Sequence, residues 1–159
     1  FKDKKLKNII ASEEYKFWKF ISQNKYLNKN LTNFDERLLR NFYLNQGYYN
    51  VNISSSFGKL LEKNAFELIF NIDAKKKFLF NDLELKLPDD FKVDNFSNIN
   101  SLFEDIKGKP YSINKIEKIL EEIDKITLNE EFENISADVE EVIDDSKINL
   151  SFNVKKQKN

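Results

Sequence analysis

Apolar and polar residues alternate along this chain with two different periods, and each period predicts one kind of element. In the first half, apolar residues recur at helical spacing up to position 43 and predict an amphipathic helix. The stripe consists of Leu31, Phe34, Leu38 and Phe42, widened by Leu39 and Tyr43. Gly47 follows this pattern and predicts its end, because a helix commonly stops at a residue with φ > 0, which glycine adopts without a Cβ clash.

Beyond the turn Gly47-Tyr48 the period changes to two. Tyr49, Val51 and Ile53 alternate with polar residues, which predicts a strand over residues 49–57. A second alternating run spans residues 66–72 and predicts its partner strand. Residues 58–64 lie between the two runs and predict the loop of a hairpin.

The second half repeats this plan. Residues 78–87 predict a strand, and two helical patterns follow, the stronger of them capped by Ser112. Two further alternating runs predict a closing pair of strands around Ala137 and Leu150. The apolar positions of the two long helices correspond at a constant offset of 85 residues. The matching pairs are Leu31 with Ile116, Phe34 with Ile119, and Leu38 with Ile123.

This order predicts an α+β chain of two tandem units, each β-α-α-β-β with a small mixed sheet and two helices on one face. The strand before the helices is expected to pair in parallel with the last strand, which leaves the middle strand at a free edge. The predicted domains are 1–76, without its opening strand, and 77–156, followed by a tail at 157–159.

Composition narrows the possible chemistry. The chain has 159 residues with a formal net charge of −1, so no basic surface predicts contact with nucleic acid. It contains no cysteine and no histidine. Thiol nucleophiles, zinc sites and the usual base near neutral pH are therefore missing, and we expect neither an enzyme nor a cofactor.

The helix–Gly–Tyr–strand junction also carries a family resemblance. The first half resembles a POTRA domain, in particular the third such domain of outer-membrane assembly factors of the BamA type, and residues 78–156 resemble the next one. The matching residues of the first half are Phe1-Lys2-Asp3 through Leu6, Phe17-Trp18, Tyr26, Leu31, Asp35, Leu38-Leu39-Arg40, Phe42-Tyr43-Leu44 and Gly47-Tyr48. In the second half, Gly108 and Tyr111 match the turn into the second helix.

The resemblance implies a periplasmic arm of an outer-membrane β-barrel protein, with the barrel itself outside this segment. Such arms receive unfolded outer-membrane proteins and dock lipoproteins of the assembly machinery, without catalysis. The alternatives are a structural spacer arm, or a POTRA segment of a two-partner secretion transporter or of the translocation and assembly module.

An edge strand explains how such an arm could bind many different unfolded chains without selecting for their sequence. Its unpaired N–H and C=O groups are a template for any extended peptide, which gains main-chain hydrogen bonds without side-chain readout. The predicted binding edge is Tyr49, Asn50, Val51, Asn52, Ile53, Ser54 and Ser55, with Gly47 and Tyr48 as the structural turn that places it.

Other clusters favour ordinary structural roles. The aromatic residues Phe17, Trp18 and Phe20 are expected to fill the core beneath a short first helix, predicted at residues 2–10, or to lie where the opening strand is missing. The acidic residues between 138 and 145 lack the spacing of a calcium loop and predict a solvated face. The short lysine runs at 75–77 and 155–158 predict solvated linker and tail, with lipid headgroups as the minor alternative.

Overall fold

The computed structural model describes residues 15–22, 29–60, 65–129 and 134–157. The chain divides into two compact units. The first comprises Phe1–Leu44 and Tyr48–Lys76, and the second comprises Asn45–Gly47 and Lys77–Asn159. None of the described helices is both long and apolar enough to cross a membrane.

The first unit contains a helix and a three-stranded sheet. Strand β1 (Tyr15–Ser22) precedes helix α1 (Lys29–Leu44), and strands β2 (Asn52–Leu60) and β3 (Ala65–Asp73) follow. The sheet order is β1-β3-β2, and both pairings are antiparallel. The predicted first helix, residues 2–10, lies outside the described residues.

Strand β1 corrects the expectation of an unoccupied sheet position in this unit. An opening strand parallel to β3 was predicted to be missing, but the structure places Tyr15–Ser22 beside β3 and antiparallel to it. The cluster of Phe17, Trp18 and Phe20 therefore lies on a strand. Aromatic residues favour strands, and the side of β3 away from β2 offers backbone groups that need partners.

The core of the first unit forms between α1 and the sheet. Tyr43, Val51, Ile53, Phe70 and Ile72 are buried there. The predicted helical stripe is partly wrong, because Phe42 is 56% exposed whereas Tyr43 is 2% exposed. The buried face of α1 thus runs through Tyr43 and the partly buried Leu39 and Leu44. It follows Leu39 and Tyr43, which were predicted only to widen the stripe.

The second unit has the complete predicted order. Strand β4 (Leu79–Lys86) leads through a 3₁₀ helix (Val93–Phe96) to helices α2 (Ser97–Ile106) and α3 (Ile113–Asn129). Strands β5 (Ile135–Asp144) and β6 (Lys147–Lys156) close the unit. The sheet order is β4-β6-β5, with β4 parallel and β5 antiparallel to β6.

Strict alternation along β6 separates the two faces of this sheet. Ile148, Leu150, Phe152 and Val154 are buried, together with Ile116, Ile119 and Ile123 of α3 and Ile99 and Phe103 of α2. The rings of Phe103 and Phe152 stack with their centroids 5.4 Å apart. Both helices therefore cover one face, as predicted for a β-α-α-β-β unit.

Candidate functional site

The candidate site is the outer margin of β2. Strand β2 pairs with β3 from Asn52↔Asp73 to Leu60↔Ala65, and β1 occupies the opposite side of β3. Within the described residues, β2 therefore has one neighbouring strand, and its other side is a sheet edge. Backbone groups on such an edge are available to an added strand.

Burial fixes which face of this segment points inward. Val51 and Ile53 are 6% and 5% exposed and pack with Tyr43, Phe70 and Ile72. The polar positions Asn52, Ser54, Ser55 and Ser56 are exposed. No residue between Gly47 and Gly58 is charged. The exposed side chains at this margin are therefore small and neutral. They leave room for an approaching peptide and do not select it by charge.

The strand begins later than predicted. Tyr49 and Asn50 lie in a turn, and Val51 precedes the first ladder residue, Asn52. The reason is local, because the Val51 N–H donates to the Tyr48 carbonyl oxygen at 3.2 Å and closes a tight turn there. The strand then continues to Leu60, so Gly58 belongs to β2 and not to the predicted loop.

The turn before β2 has the geometry of a glycine-terminated helix. Gly47 has φ = +97°, and the Tyr48 N–H donates to the Tyr43 carbonyl oxygen at 3.1 Å. This bond spans five residues back along the chain, as in a Schellman motif with glycine at C′. The rings of Tyr43 and Tyr48 lie 5.7 Å apart between centroids. The turn therefore ties the start of the edge segment to the buried end of α1.

Asn45 has a role that sequence reasoning missed. Within the second unit, its side-chain oxygen accepts hydrogen bonds from the Ser112 hydroxyl and the Asn114 N–H, both at 2.9 Å. Asn114 lies in the first turn of α3, where N–H groups have no partner within the helix. Asn45 thus supplies the capping acceptor that was predicted to come from Ser112. The two positions are 67 residues apart, and no local pattern signals the pairing.

Two carboxylates of the acidic strand β5, those of Asp138 and Glu141, are hydrogen-bonded to neighbouring residues. Asp138 accepts hydrogen bonds from Asn153 and Lys155 on β6, at 3.0 and 2.8 Å. These bonds, that from Lys155 first, hold the pKa of Asp138 below its usual range. Glu141 accepts a hydrogen bond from the Tyr111 hydroxyl at 3.0 Å. These contacts are those of a hydrogen-bonded surface.

Comparison with known proteins identifies the kind of domain. Residues 1–75 match the POTRA family, described as a surface antigen variable number repeat. The first unit therefore matches the POTRA family in sequence, and the resemblance predicted from the junction at Gly47 is confirmed.

The curated relative that this chain matches is a BamA protein. The chain is 26% identical over 165 residues to the outer membrane protein assembly factor BamA of Buchnera aphidicola subsp. Acyrthosiphon pisum, an alignment that covers 99% of this chain and 26% of that protein. The chain thus spans about a quarter of the length of this curated relative.

Two solved structures show the same fold. The Haemophilus influenzae BamA POTRA3-5 structure matches with a TM-score of 0.60 and 12% identity, over 91% of this chain and 55% of that one. BamA from Haemophilus ducreyi lacking POTRA domains 1-3 matches with a TM-score of 0.61 and 12% identity, over 83% of this chain and 24% of that one. The α+β, POTRA-like fold predicted from the sequence is therefore confirmed.

Proposed function

We propose that this chain is a periplasmic POTRA segment of a BamA-like assembly factor, lying at the outer membrane and connected to a β-barrel elsewhere in its parent protein. In this role it binds unfolded outer-membrane proteins by strand addition to β2 and provides a scaffold for lipoprotein partners. It acts by binding and not by catalysis. The POTRA match, the BamA-like fold and the curated relative support this assignment.

The observation that carries the binding mechanism is the edge position of β2 together with its neutral surface. An incoming strand gains main-chain hydrogen bonds along Asn52–Ser56, while Val51 and Ile53 keep the segment anchored in the core. Ordering a disordered peptide costs about 1–2 kcal/mol per residue, so the bound state is weak and reversible. Weak, unselective binding suits a receptor that must release each chain it accepts.

The test is a titration of the isotope-labelled chain with peptides taken from outer-membrane barrel strands. We expect amide resonances to shift at Asn52–Phe57, where the added strand would pair. The control is the same peptide with proline at alternate positions, which cannot form a continuous ladder. Shifts elsewhere, or none at millimolar peptide, would leave the structural spacer as the better assignment.

Two adjacent proline variants separate edge binding from loss of fold. Ser54 and Ser55 lie opposite Asn71 and Phe70, and successive residues of an antiparallel strand turn their N–H groups to opposite sides. Of Ser54→Pro and Ser55→Pro, one therefore removes an outward donor, while the other breaks the ladder with β3. We expect one variant to lose peptide binding with its unfolding midpoint retained. Normal peptide binding by a variant that keeps its unfolding midpoint and has lost the outward donor would contradict strand addition.

A further inference from the structure

The second unit contains a cleft that the proposed strand capture does not use. It has a volume of about 360 Å³ and opens between the end of β4, the following loop and the start of α2. This volume lies at the lower end of the range for ligand pockets, roughly 300–1,000 Å³. Six of its eight described lining residues are apolar: Leu85, Leu87, Pro88, Phe91, Val93 and Phe96.

The floor of the cleft is held in place. Phe91 and Phe96 are 5% and 1% exposed, and their rings stack with centroids 6.2 Å apart. Lys156 lies 5.5 Å from the Phe91 ring centroid and forms an ion pair with Asp90, which connects the loop to the end of β6. A cleft ordered before binding loses less conformational entropy when it is filled.

The rim is apolar on one side and polar on the other. Val93 is 66% exposed, which leaves a β-branched side chain facing solvent at the mouth. Asp89 and Asn100 are the polar lining residues, and neither side chain has a hydrogen-bond or ion-pair partner within the part of the chain that the structure describes. The nearby Lys92 is exposed but is not one of the lining residues.

We propose that this cleft binds a segment of a partner protein in which a bulky apolar side chain lies next to a lysine or arginine. The apolar side chain fills the space above Phe91 and Phe96, in contact with Val93. The cation meets the Asp89 carboxylate, the only charged group among the described lining residues. An acidic segment is repelled there, and a purely apolar one leaves Asp89 and Asn100 without partners.

The test uses two short probes on the full, isotope-labelled chain: the blocked tetrapeptide Ser-Phe-Lys-Ser and its counterpart with glutamate in place of lysine. Four residues are too few for a stable added strand, so we expect no amide shifts along the β2 margin. The outcome is therefore independent of strand capture. We expect shifts at Leu85–Phe96 and Asn100, with the lysine probe bound about fivefold more tightly. Asp89→Asn should remove this preference.

A matched pair of variants tests the apolar contact. Val93→Ser should weaken binding of the lysine probe severalfold, whereas Leu128→Ser should not, because Leu128 is 77% exposed on α3 and does not line the cleft. Three results would overturn the proposal. They are no shifts at millimolar probe, equal binding of the two probes, or the same shifts produced by raising the protein concentration alone, which would indicate a second copy of the chain.

Discussion

At the scale of single residues, Gly47 meets two requirements at once. Its φ of +97° lies in the region that other residues rarely adopt. A Cβ at this position would lie 3.1 Å from the Cβ of Pro110 and 3.2 Å from the Phe78 carbonyl oxygen. The Gly47 carbonyl also accepts a hydrogen bond from the Phe78 N–H at 2.8 Å. Glycine is needed for the turn and also for this close approach.

Replacing Gly47 with alanine should therefore destabilise the chain more than the same change at Gly108. Gly108 also has a positive φ, +77°, but nothing lies within 4 Å of its would-be Cβ. We expect Gly108→Ala to cost about 1–2 kcal/mol from backbone strain alone. Gly47→Ala should cost more, and urea unfolding measures both. Equal losses would show that the contacts with Pro110 and Phe78 relax without cost.

The sequence pattern was sufficient to predict the role of Gly47 but not the exposure of Phe42 or the role of Asn45. Gly47 could be recognised because a helical period ends before it and an alternating period begins after it. The exposure of Phe42 could not be predicted from the sequence, since Phe42 and Tyr43 are both aromatic and only packing decides which of them faces the core. The capping role of Asn45 was equally hidden, because its partners lie 67 and 69 residues away.

At the scale of elements, alternation was a good guide wherever one face of a strand is buried. Strand β6 follows the predicted period of two from Lys147 to Lys155, because its inward residues, Ile148, Leu150, Phe152 and Val154, are buried. It failed at β1, where aromatic residues occupy both parities and no clear period exists. It also misplaced the start of β2, because the turn at Tyr48–Val51 hydrogen-bonds residues that alternate as if they were already a strand.

The open face of the second sheet makes a pH-dependent contribution through Asp138. Hydrogen bonds from Lys155 and Asn153 lower its pKa in the folded state, so the carboxylate is favoured by folding. This stabilisation is present above the unfolded pKa, about 3.9, and is lost as the pH falls through the lower folded value. We expect Asp138→Asn to lower the urea midpoint at neutral pH and to reduce the loss of stability on acidification below about pH 4.

A matched control is available on the same strand. The side chain of Glu140 is exposed and has no hydrogen-bond or ion-pair partner in the described part of the chain, so Glu140→Gln changes the charge without removing a side-chain bond. If both variants reduce the loss of stability on acidification by the same amount, the loss of a negative charge is responsible and not the loss of the hydrogen bonds to β6.

At the scale of the whole molecule, the net charge is −1, but the edge strands of the two sheets differ in charge. In each unit the middle strand, β2 or β5, lies at the edge of the order described by the structure. The β2 margin is neutral from Tyr48 to Phe57, whereas β5 and its turn carry five carboxylates between 138 and 145. Charges on an edge strand oppose the addition of another strand, so two equivalent edges need not bind equally.

This difference predicts the number of peptides that one chain captures. A barrel-strand peptide with a net negative charge should bind at β2 alone, with a stoichiometry of one per chain by calorimetry. At β5, the exposed carboxylates of Glu140 and Asp144 would lie opposite like charges, which destabilise cross-strand pairs.

The double variant Glu140→Gln and Asp144→Asn should then raise the stoichiometry toward two, because it removes the repulsion and leaves the β5 backbone unchanged. The expected new site is visible separately, as amide shifts at Ile135–Asp144 that the unaltered chain does not show. Two peptides bound to the unaltered chain would mean that edge charge does not control access. One peptide bound to the double variant would mean that β2 differs from β5 in more than charge.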